Sequence, residues 1–173
     1  MDQEMPKPDG EEIMGGATST RHAVAPSFLR ACRETFGADR IAWPKTGKGT
    51  GHLHRAISGV VEVETVKEVQ TIVHLANQYQ AHLHPISTGK NWGFGSAAPV
   101  TSGAVILDLH RMNRIREINL THGFAVVEPG VTQGDLAQAL RERNAPWTLD
   151  VTGAGPDTSL VGNALERGIA YHS

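Results

Sequence analysis

The apolar residues between positions 59 and 87 follow the pattern of a strand, a helix and a second strand. Thr65, with Glu68 three residues later, predicts a capping box at the start of the helix. The helix itself is predicted from apolar residues at helical spacing, namely Val66, Val69, Ile72, Val73 and Ala76. Residues 59–63 and 82–87 supply the flanking strands. We therefore expect a β-α-β unit with parallel strands and a right-handed crossover.

Three further strand patterns and a second helix follow. Residues 104–109 predict a buried strand, residues 115–119 a half-exposed strand, and residues 124–128 a strand that follows a His-Gly turn. Their connections are short, which favours antiparallel pairing, so we expect a sheet distinct from the first. Thr132 and Asp135 predict the cap of a helix that runs to about Arg143. Its core face comprises Leu136, Ala139 and Leu140.

The amino-terminal part of the chain carries weaker patterns. Residues 1–24 are rich in Gly, acidic residues, Pro and Ser/Thr without periodicity, which predicts a disordered tail. Pro26 is predicted to begin a helix that Gly37 ends, and residues 42–58 are predicted to form a loop. The whole predicts an α+β fold whose first unit is α/β. Its divisions are the tail (1–24), a first subdomain (25–102) and an incomplete second subdomain (103–173).

Composition and charge exclude several function classes. The formal net charge is −2, with 20% charged and 39% hydrophobic residues, so we expect neither a nucleic-acid partner nor a membrane-seeking face. The aromatic fraction of 5% argues against a stacking platform for single strands. Cys32 is the single cysteine and cannot form an internal disulfide. Without a signal-peptide pattern or an apolar run of roughly 20 residues, the sequence predicts a cytoplasmic protein.

The most informative stretch follows the second strand of the β-α-β unit and reads Ser-Thr-Gly-Lys-Asn-Trp-Gly-Phe-Gly over residues 87–95. Gly89, Gly93 and Gly95 tolerate positive φ and lack a Cβ, so their loop can turn N–H groups onto a pyrophosphate. Lys90 would add a positive charge. Further donors would come from Ser87, Thr88 and Asn91. A plain turn is the other interpretation. The carboxyl end of a strand is where open α/β sheets bind ligands, which favours a nucleotide cofactor.

A second glycine-containing segment covers residues 150–168. Gly153, Gly155 and Pro156 predict a flexible turn, and Ser159 can cap the helix that follows. The pair Gly162-Asn163 would allow the close approach of a planar ring or a phosphate. Taken alone, this segment indicates only a loop followed by the start of a helix.

Four blocks of the sequence, in order and spacing, carry a family resemblance. They are residues 85–99 (Pro-Ile-Ser-Thr-Gly-Lys-Asn-Trp-Gly-Phe-Gly-Ser-Ala-Ala-Pro), 66–80, 127–132 (Val-Glu-Pro-Gly-Val-Thr) and 149–168. They resemble the pyrophosphate loop, the helix before it, the turn into the next helix and the second flavin-contacting segment of the vanillyl-alcohol oxidase and 4-cresol dehydrogenase family. The similarity covers roughly residues 27–171. It implies two small subdomains of the PCMH-type FAD-binding fold, the second truncated here.

The resemblance also implies a function and a site. The chain is expected to be the amino-terminal, FAD-binding part of an FAD-dependent oxidoreductase that oxidises a small aromatic alcohol or alkylphenol by hydride transfer to FAD. The implied cofactor-binding residues are Ser87, Thr88, Gly89, Lys90, Asn91, Trp92, Gly93, Gly95, Ser159, Gly162, Asn163 and Gly168. The catalytic groups would lie outside this chain. Glu128 and Pro129 also match family positions, with either a helix-initiating role or a direct cofactor contact.

Several features depart from the family pattern. Phe94 stands where phenol-oxidising members carry a tyrosine whose hydroxyl helps to bind and deprotonate the phenol, so phenolate stabilisation is weakened. Lys90 replaces an arginine and keeps the charge without the planar fork. Family members are much longer, so we expect an exposed apolar edge, a homo-oligomer or a completing partner chain. The alternative function is that of a truncated member without productive flavin chemistry, acting as a partner subunit or a non-redox scaffold.

Metal and nucleophile sites are weaker hypotheses. His52 with His54, and His82 with His84, would each place two imidazoles on one face of an extended segment. No cysteine or carboxylate joins either pair at ligand spacing, so we expect no metal site. Cys32 lies on the apolar face of a predicted helix, and no serine occupies a nucleophile elbow.

Overall fold

The computed structural model describes residues 18–43, 56–90, 98–149 and 155–165. Within these ranges the chain mixes helices and strands, as an α+β fold does. The helices are α1 (Thr18–Phe36), α2 (Val66–Tyr79), α3 (Gln133–Glu142) and α4 (Leu160–Leu165), with a short 3-10 helix at Ala38–Arg40. The strands are β1 (Ile41–Ala42), β2 (Ile57–Glu62), β3 (Leu83–Ile86), β4 (Ala104–Asp108), β5 (Ile115–Asn119) and β6 (Phe124–Val127).

The larger sheet has four strands in the order β1-β2-β4-β3. β2 and β3 both run parallel to β4, with Val61 opposite Leu107 and Pro85 also opposite Leu107. The predicted parallel orientation of the two strands that flank α2 is therefore confirmed. Because the three strands are parallel, their carboxyl ends lie at one edge of the sheet, and β3 delivers the glycine-containing loop to that edge.

The predicted pairing of β4 is wrong. The sequence predicts residues 104–109 in a separate antiparallel sheet, whereas β4 lies between β2 and β3 in the first sheet. The physical reason is that residues 104–107 are all buried, and a continuous apolar strand is typical of the centre of a parallel sheet. The predicted subdomain boundary at residue 102 consequently separates β4 from the sheet in which it lies.

The hydrophobic core lies between the helices α1 and α2 and one face of this sheet. Phe28, Leu29, Val61, Ile72 and Val105 are almost fully buried in it. Cys32 belongs to the same cluster, and burial raises the pKa of its thiol to about 12. A thiol that stays protonated at neutral pH is a core side chain and not a nucleophile.

Helix α1 begins at Thr18, so the predicted helix start at Pro26 is wrong. The predicted disordered tail, residues 1–24, is wrong from residue 18 onwards for the same reason. Proline is most often found in the first turn of a helix, but here it lies inside the helix. Thr65 and Thr132 both cap their helices as predicted, but the capping box predicted at Thr65 is only partly formed, because Glu68 Oε2 accepts from the Glu64 N–H at 2.7 Å. Thr65 Oγ1 accepts a hydrogen bond from the Glu68 N–H at 3.2 Å. The Thr132 and Asp135 capping box is complete.

The smaller sheet is the antiparallel hairpin of β5 and β6, which confirms the predicted pairing of these two strands. Phe124 and Val126 point to one face of the hairpin and are 45% and 42% exposed. Trp147 is also exposed, and its indole N–H donates to the Leu120 carbonyl oxygen at 3.0 Å. Apolar side chains on this face are thus partly exposed, and the apolar edge of an incomplete sheet stays a prediction.

No helix within the described ranges combines the length and the apolarity that a bilayer crossing requires.

Candidate functional site

The glycine-containing loop leaves the sheet at the carboxyl end of β3. Ile86, the last residue of β3, lies opposite Asp108 of β4, and residues 87–90 continue from there. Gly89 has a φ of 65°, in the left-handed region that glycine adopts without strain. Residues 87–90 therefore have the predicted position, and Gly89 has the predicted backbone conformation, whereas Gly93 and Gly95 lie outside the described residues.

Thr88 carries an unusual polar atom within this loop. Its Oγ1 is buried and has no hydrogen-bond partner among the described residues. Native proteins seldom leave a buried hydroxyl unpaired, because burial removes its hydrogen bonds to water. The Thr88 hydroxyl is thus available to a ligand that reaches the loop.

The second segment is held by the side chain of Ser159. Ser159 is buried; its Oγ donates to the Pro129 carbonyl oxygen at 2.7 Å and accepts from the Gly162 N–H at 2.9 Å. The second bond is the cap that the sequence predicts. The first bond ties α4 to the turn before α3, and an isolated bridge between Ser159 and Thr132 adds to it. Ser159 therefore positions the backbone of α4.

The two segments meet at Gly162. A Cβ atom at Gly162 would lie only 2.7 Å from Ser87 Oγ and 3.3 Å from Ser159 Cβ. Glycine lets the first turn of α4 approach the loop this closely, because a Cβ atom there would force the Ser87 hydroxyl to move away. Lys90 Nζ adds an ion pair with Asp157 Oδ2, in the turn before α4. The structure thus brings Ser87, Lys90, Ser159 and Gly162 together from two distant parts of the sequence.

The remaining predicted site residues have separate outcomes. The Asn163 side-chain amide donates to Thr158 Oγ1 at 3.5 Å, within its own helix turn. Several predicted residues lie outside the described residues, namely Asn91, Trp92, Gly93, Gly95 and Gly168, and so do Phe94 and Gly153. Their contribution to a cofactor site stays a prediction.

Glu128 is occupied by protein contacts. It is 5% exposed, and its carboxylate accepts from the Arg114 N–H at 3.0 Å and from Arg116 Nη2 at 2.6 Å. Burial raises the pKa of Glu128, but the hydrogen bonds from Arg114 and Arg116 outweigh it and leave the pKa below its ordinary value. These contacts join the turn before α3 to the β5 region, and both roles that the sequence leaves open for Glu128 stay predictions.

Replacing Glu128 by glutamine should lower the free energy of unfolding by about 2 kcal/mol, because a charged acceptor of three hydrogen bonds is lost. The folded-state pKa of Glu128 is lowered, so its stabilisation is present above the ordinary glutamate pKa and is lost as the pH falls through the folded value. Chemical denaturation between neutral and acidic pH would measure both effects. Glu117→Gln, at an exposed position on β5, is the matched control. An equal stability of the Glu128 and Glu117 variants would contradict this account.

Sequence reasoning missed two contributors to this region. Asp157 lies in the Gly-Pro-Asp turn, but nothing in the sequence pairs it with Lys90, which is 67 residues away. Gly130 was noted only as part of a motif. In the structure a Cβ atom at Gly130 would lie 2.2 Å from the His110 carbonyl oxygen. The glycine therefore allows the segment after β4 to pack against the turn before α3.

In the described part of the chain, no three His, Cys, Asp or Glu side chains come together to hold a metal ion. His52 and His54 lie outside that part. His84 is on β3, opposite Ile106.

The comparison with protein families agrees with this geometry. A family model described as an FAD binding domain matches residues 57–173, from the start of β2 to the end of the chain. The chain belongs to this family. The predicted cofactor class is confirmed as FAD.

The FAD-binding domain resembles proteins of the predicted type. It is 42% identical over 116 residues to the 4-cresol dehydrogenase [hydroxylating] flavoprotein subunit of Pseudomonas putida, covering 67% of this chain and 22% of that protein. It is 37% identical over 146 residues to 1'-carboxy-chondrochloren decarboxylase of Chondromyces crocatus, covering 81% of this chain and 27% of that protein. The chain thus spans about a quarter of the length of these curated relatives.

The crystal structure of p-cresol methylhydroxylase with substrate bound superposes on the FAD-binding domain with a TM-score of 0.76 at 34% identity. The match covers 85% of this chain and 30% of that one. The predicted family and the PCMH-type fold are therefore confirmed.

The described residues of the FAD-binding domain fit an anionic dinucleotide. The loop offers a buried hydroxyl without a partner at Thr88 and a left-handed glycine at Gly89. Gly162 lets the backbone of α4 pack close to Ser87 and so brings α4 to the loop. A phosphate needs hydrogen-bond donors and close backbone approach, and these residues supply both.

Proposed function

We propose that this chain is the FAD-binding part of a flavin-dependent oxidoreductase that acts on a small aromatic alcohol or alkylphenol. FAD, when bound, supplies the acceptor for a hydride taken from the substrate. The observation that carries the proposal is the convergence of residues 87–90 with the first turn of α4, marked by the contact between Ser87 and Gly162. Relatives with cresol and ethylphenol in their names support the substrate class.

The residues of this chain would bind and orient the cofactor. The loop amides around Gly89 and the Thr88 hydroxyl would donate to the pyrophosphate. Ser159 would hold the backbone of α4 in place through its bonds to Pro129 and Gly162. Asn91, Trp92, Gly93, Gly95, Asn163 and Gly168 would complete the site, as the family resemblance implies. The groups that contact the substrate would lie outside this chain.

Thr88→Val should separate binding from stability. The dissociation constant of FAD is expected to rise about tenfold, the equivalent of one lost hydrogen bond. The free energy of unfolding of the ligand-free protein should not fall, because a methyl group replaces a buried hydroxyl without a partner among the described residues. FAD titration and chemical denaturation measure the two quantities. Thr71→Val on α2 makes the same chemical change away from the loop and should leave the affinity unchanged. A Thr88 variant that binds FAD normally would contradict the assigned role.

The test of the proposed function is whether the purified chain binds FAD. We expect the protein to retain a yellow flavin with shifted visible absorption bands, or to take up added FAD with saturation, and to release it on denaturation. Protein that neither retains nor takes up FAD would contradict the proposal.

The alternative function is that of a partner subunit or a non-redox scaffold without productive flavin chemistry. It predicts a folded protein that stays colourless with excess FAD. The same titration therefore separates the two functions.

A further inference from the structure

The side chain of Lys90 is directed at a carboxylate. Its Nζ forms an ion pair with Asp157 Oδ2, and the two side chains are 57% and 58% exposed. The hydrogen bond from Lys90 is the largest reason why the pKa of Asp157 lies below its ordinary value. The Lys90 ammonium, which the sequence predicts to contact a phosphate, is therefore already paired with a carboxylate of the protein.

This ion pair is a second point of contact between the two segments. The first is the van der Waals contact of Gly162 with Ser87. The contact at Ser87 lies at the start of residues 87–90, next to β3, whereas the ion pair joins the far end of this segment to the turn before α4. Exposed ion pairs add little to global stability, so the effect of this one should appear in the placement of the loop.

We propose that Lys90 is a positioning residue, which with Asp157 forms a clasp that holds the phosphate loop against α4 in the geometry that receives FAD. The inference rests on the proposed function and changes the expected role of Lys90. In this view Lys90 acts through Asp157 and is not a direct ligand of the pyrophosphate.

The two roles of Lys90 predict opposite effects of Asp157→Asn. If Lys90 bound the phosphate directly, the Asp157 carboxylate would compete for its ammonium and repel the phosphate, so removing the carboxylate would tighten FAD binding. If the two residues form the clasp, removing the carboxylate loosens the loop and weakens binding. We expect weakening of roughly threefold to tenfold, as an exposed ion pair allows.

A charge reversal provides the decisive test. FAD would be titrated into the full 173-residue chain carrying Lys90→Glu, Asp157→Lys or both. Each single variant should bind FAD more weakly, and the double variant should return to within about threefold of the original affinity, because the ion pair is restored with its ends exchanged. Lys67→Glu, at an exposed position on α2, changes the net charge by the same amount as Lys90→Glu and should leave the affinity for FAD unchanged. A double variant as weak as Lys90→Glu, or tighter binding by Asp157→Asn, would overturn the clasp.

A measurement without FAD distinguishes failure of the clasp from failure of the proposed function. Amide hydrogen exchange of residues 87–90 and 155–165 should be faster in each single variant and return to its original rate in the double variant. Salt at about 1 M should speed exchange in the original protein towards that of the single variants. Exchange rates that none of these changes alters would overturn the clasp. If the rates change as expected but the original protein binds no FAD, the clasp stands and the proposed function fails.

Discussion

Gly89→Val is expected to weaken FAD binding by at least about a hundredfold. The φ of 65° at this residue is in a region that β-branched side chains rarely adopt, which costs of order 1–3 kcal/mol. The valine side chain would also stand between the loop backbone and the phosphates, and each 1.4 kcal/mol lost is a further factor of about ten. Titration with FAD, followed by flavin absorption or fluorescence, measures the change.

Gly103→Val is the matched control for this variant. Gly103 has a similar φ of 83°, and the nearest atom to its Cβ position is Ser58 Oγ at 3.9 Å. It lies at the amino end of β4, at the edge of the sheet opposite the loop. The control should therefore share the backbone strain and keep its affinity for FAD. If both variants, or neither, lost affinity, Gly89 would have no special role in binding.

Gly130→Ala is expected to give the largest loss of stability, about 3 kcal/mol or more in the free energy of unfolding. A Cβ atom there would lie 2.2 Å from the His110 carbonyl oxygen and 2.9 Å from that of Met112. Both are backbone atoms, so the clash can be relieved only if the segment after β4 moves away from the turn before α3. The Gly130 N–H bond to the Met112 oxygen, at 2.7 Å, would be disturbed as well.

Urea denaturation of the purified variants would test this prediction. Gly103→Ala serves as the control, because its site is open and its cost is limited to roughly 1–2 kcal/mol for a left-handed backbone. We expect the urea concentration at the midpoint of unfolding to be much lower for Gly130→Ala than for Gly103→Ala. If the loss exceeds the total free energy of unfolding, the soluble fraction of the Gly130 variant should fall as well. A midpoint equal to that of the unsubstituted protein would show that the two segments are not in close contact.

The local elements of this fold were predictable from the sequence. Helices α2 and α3 have strong periodic faces and Thr caps, and hairpin β5–β6 has a short turn, so each depends mainly on residues close in sequence. The placement of β4 was not predictable in this way. Its neighbours in the sheet are β2 and β3, and chain proximity alone favoured a different partner.

The candidate site likewise has some features that the sequence predicts and others that only the folded structure creates. The positive φ of Gly89 and the cap at Ser159 follow from residue type and position. The ion pair of Lys90 with Asp157 and the contact of Gly162 with Ser87 arise only when the segments fold together. The sequence predicts that Lys90 contacts a phosphate. Nothing in a glycine-containing loop indicates that its lysine pairs with a distant carboxylate.

The most direct test of the account is a crystal structure of the chain determined with FAD. We predict that phosphate oxygens lie within hydrogen-bond distance of the Gly89 N–H and Thr88 Oγ1, and that Gly162 is in van der Waals contact with the same cofactor molecule. FAD bound through only one of the two segments, or at another surface, would contradict the claim that both segments form one dinucleotide site.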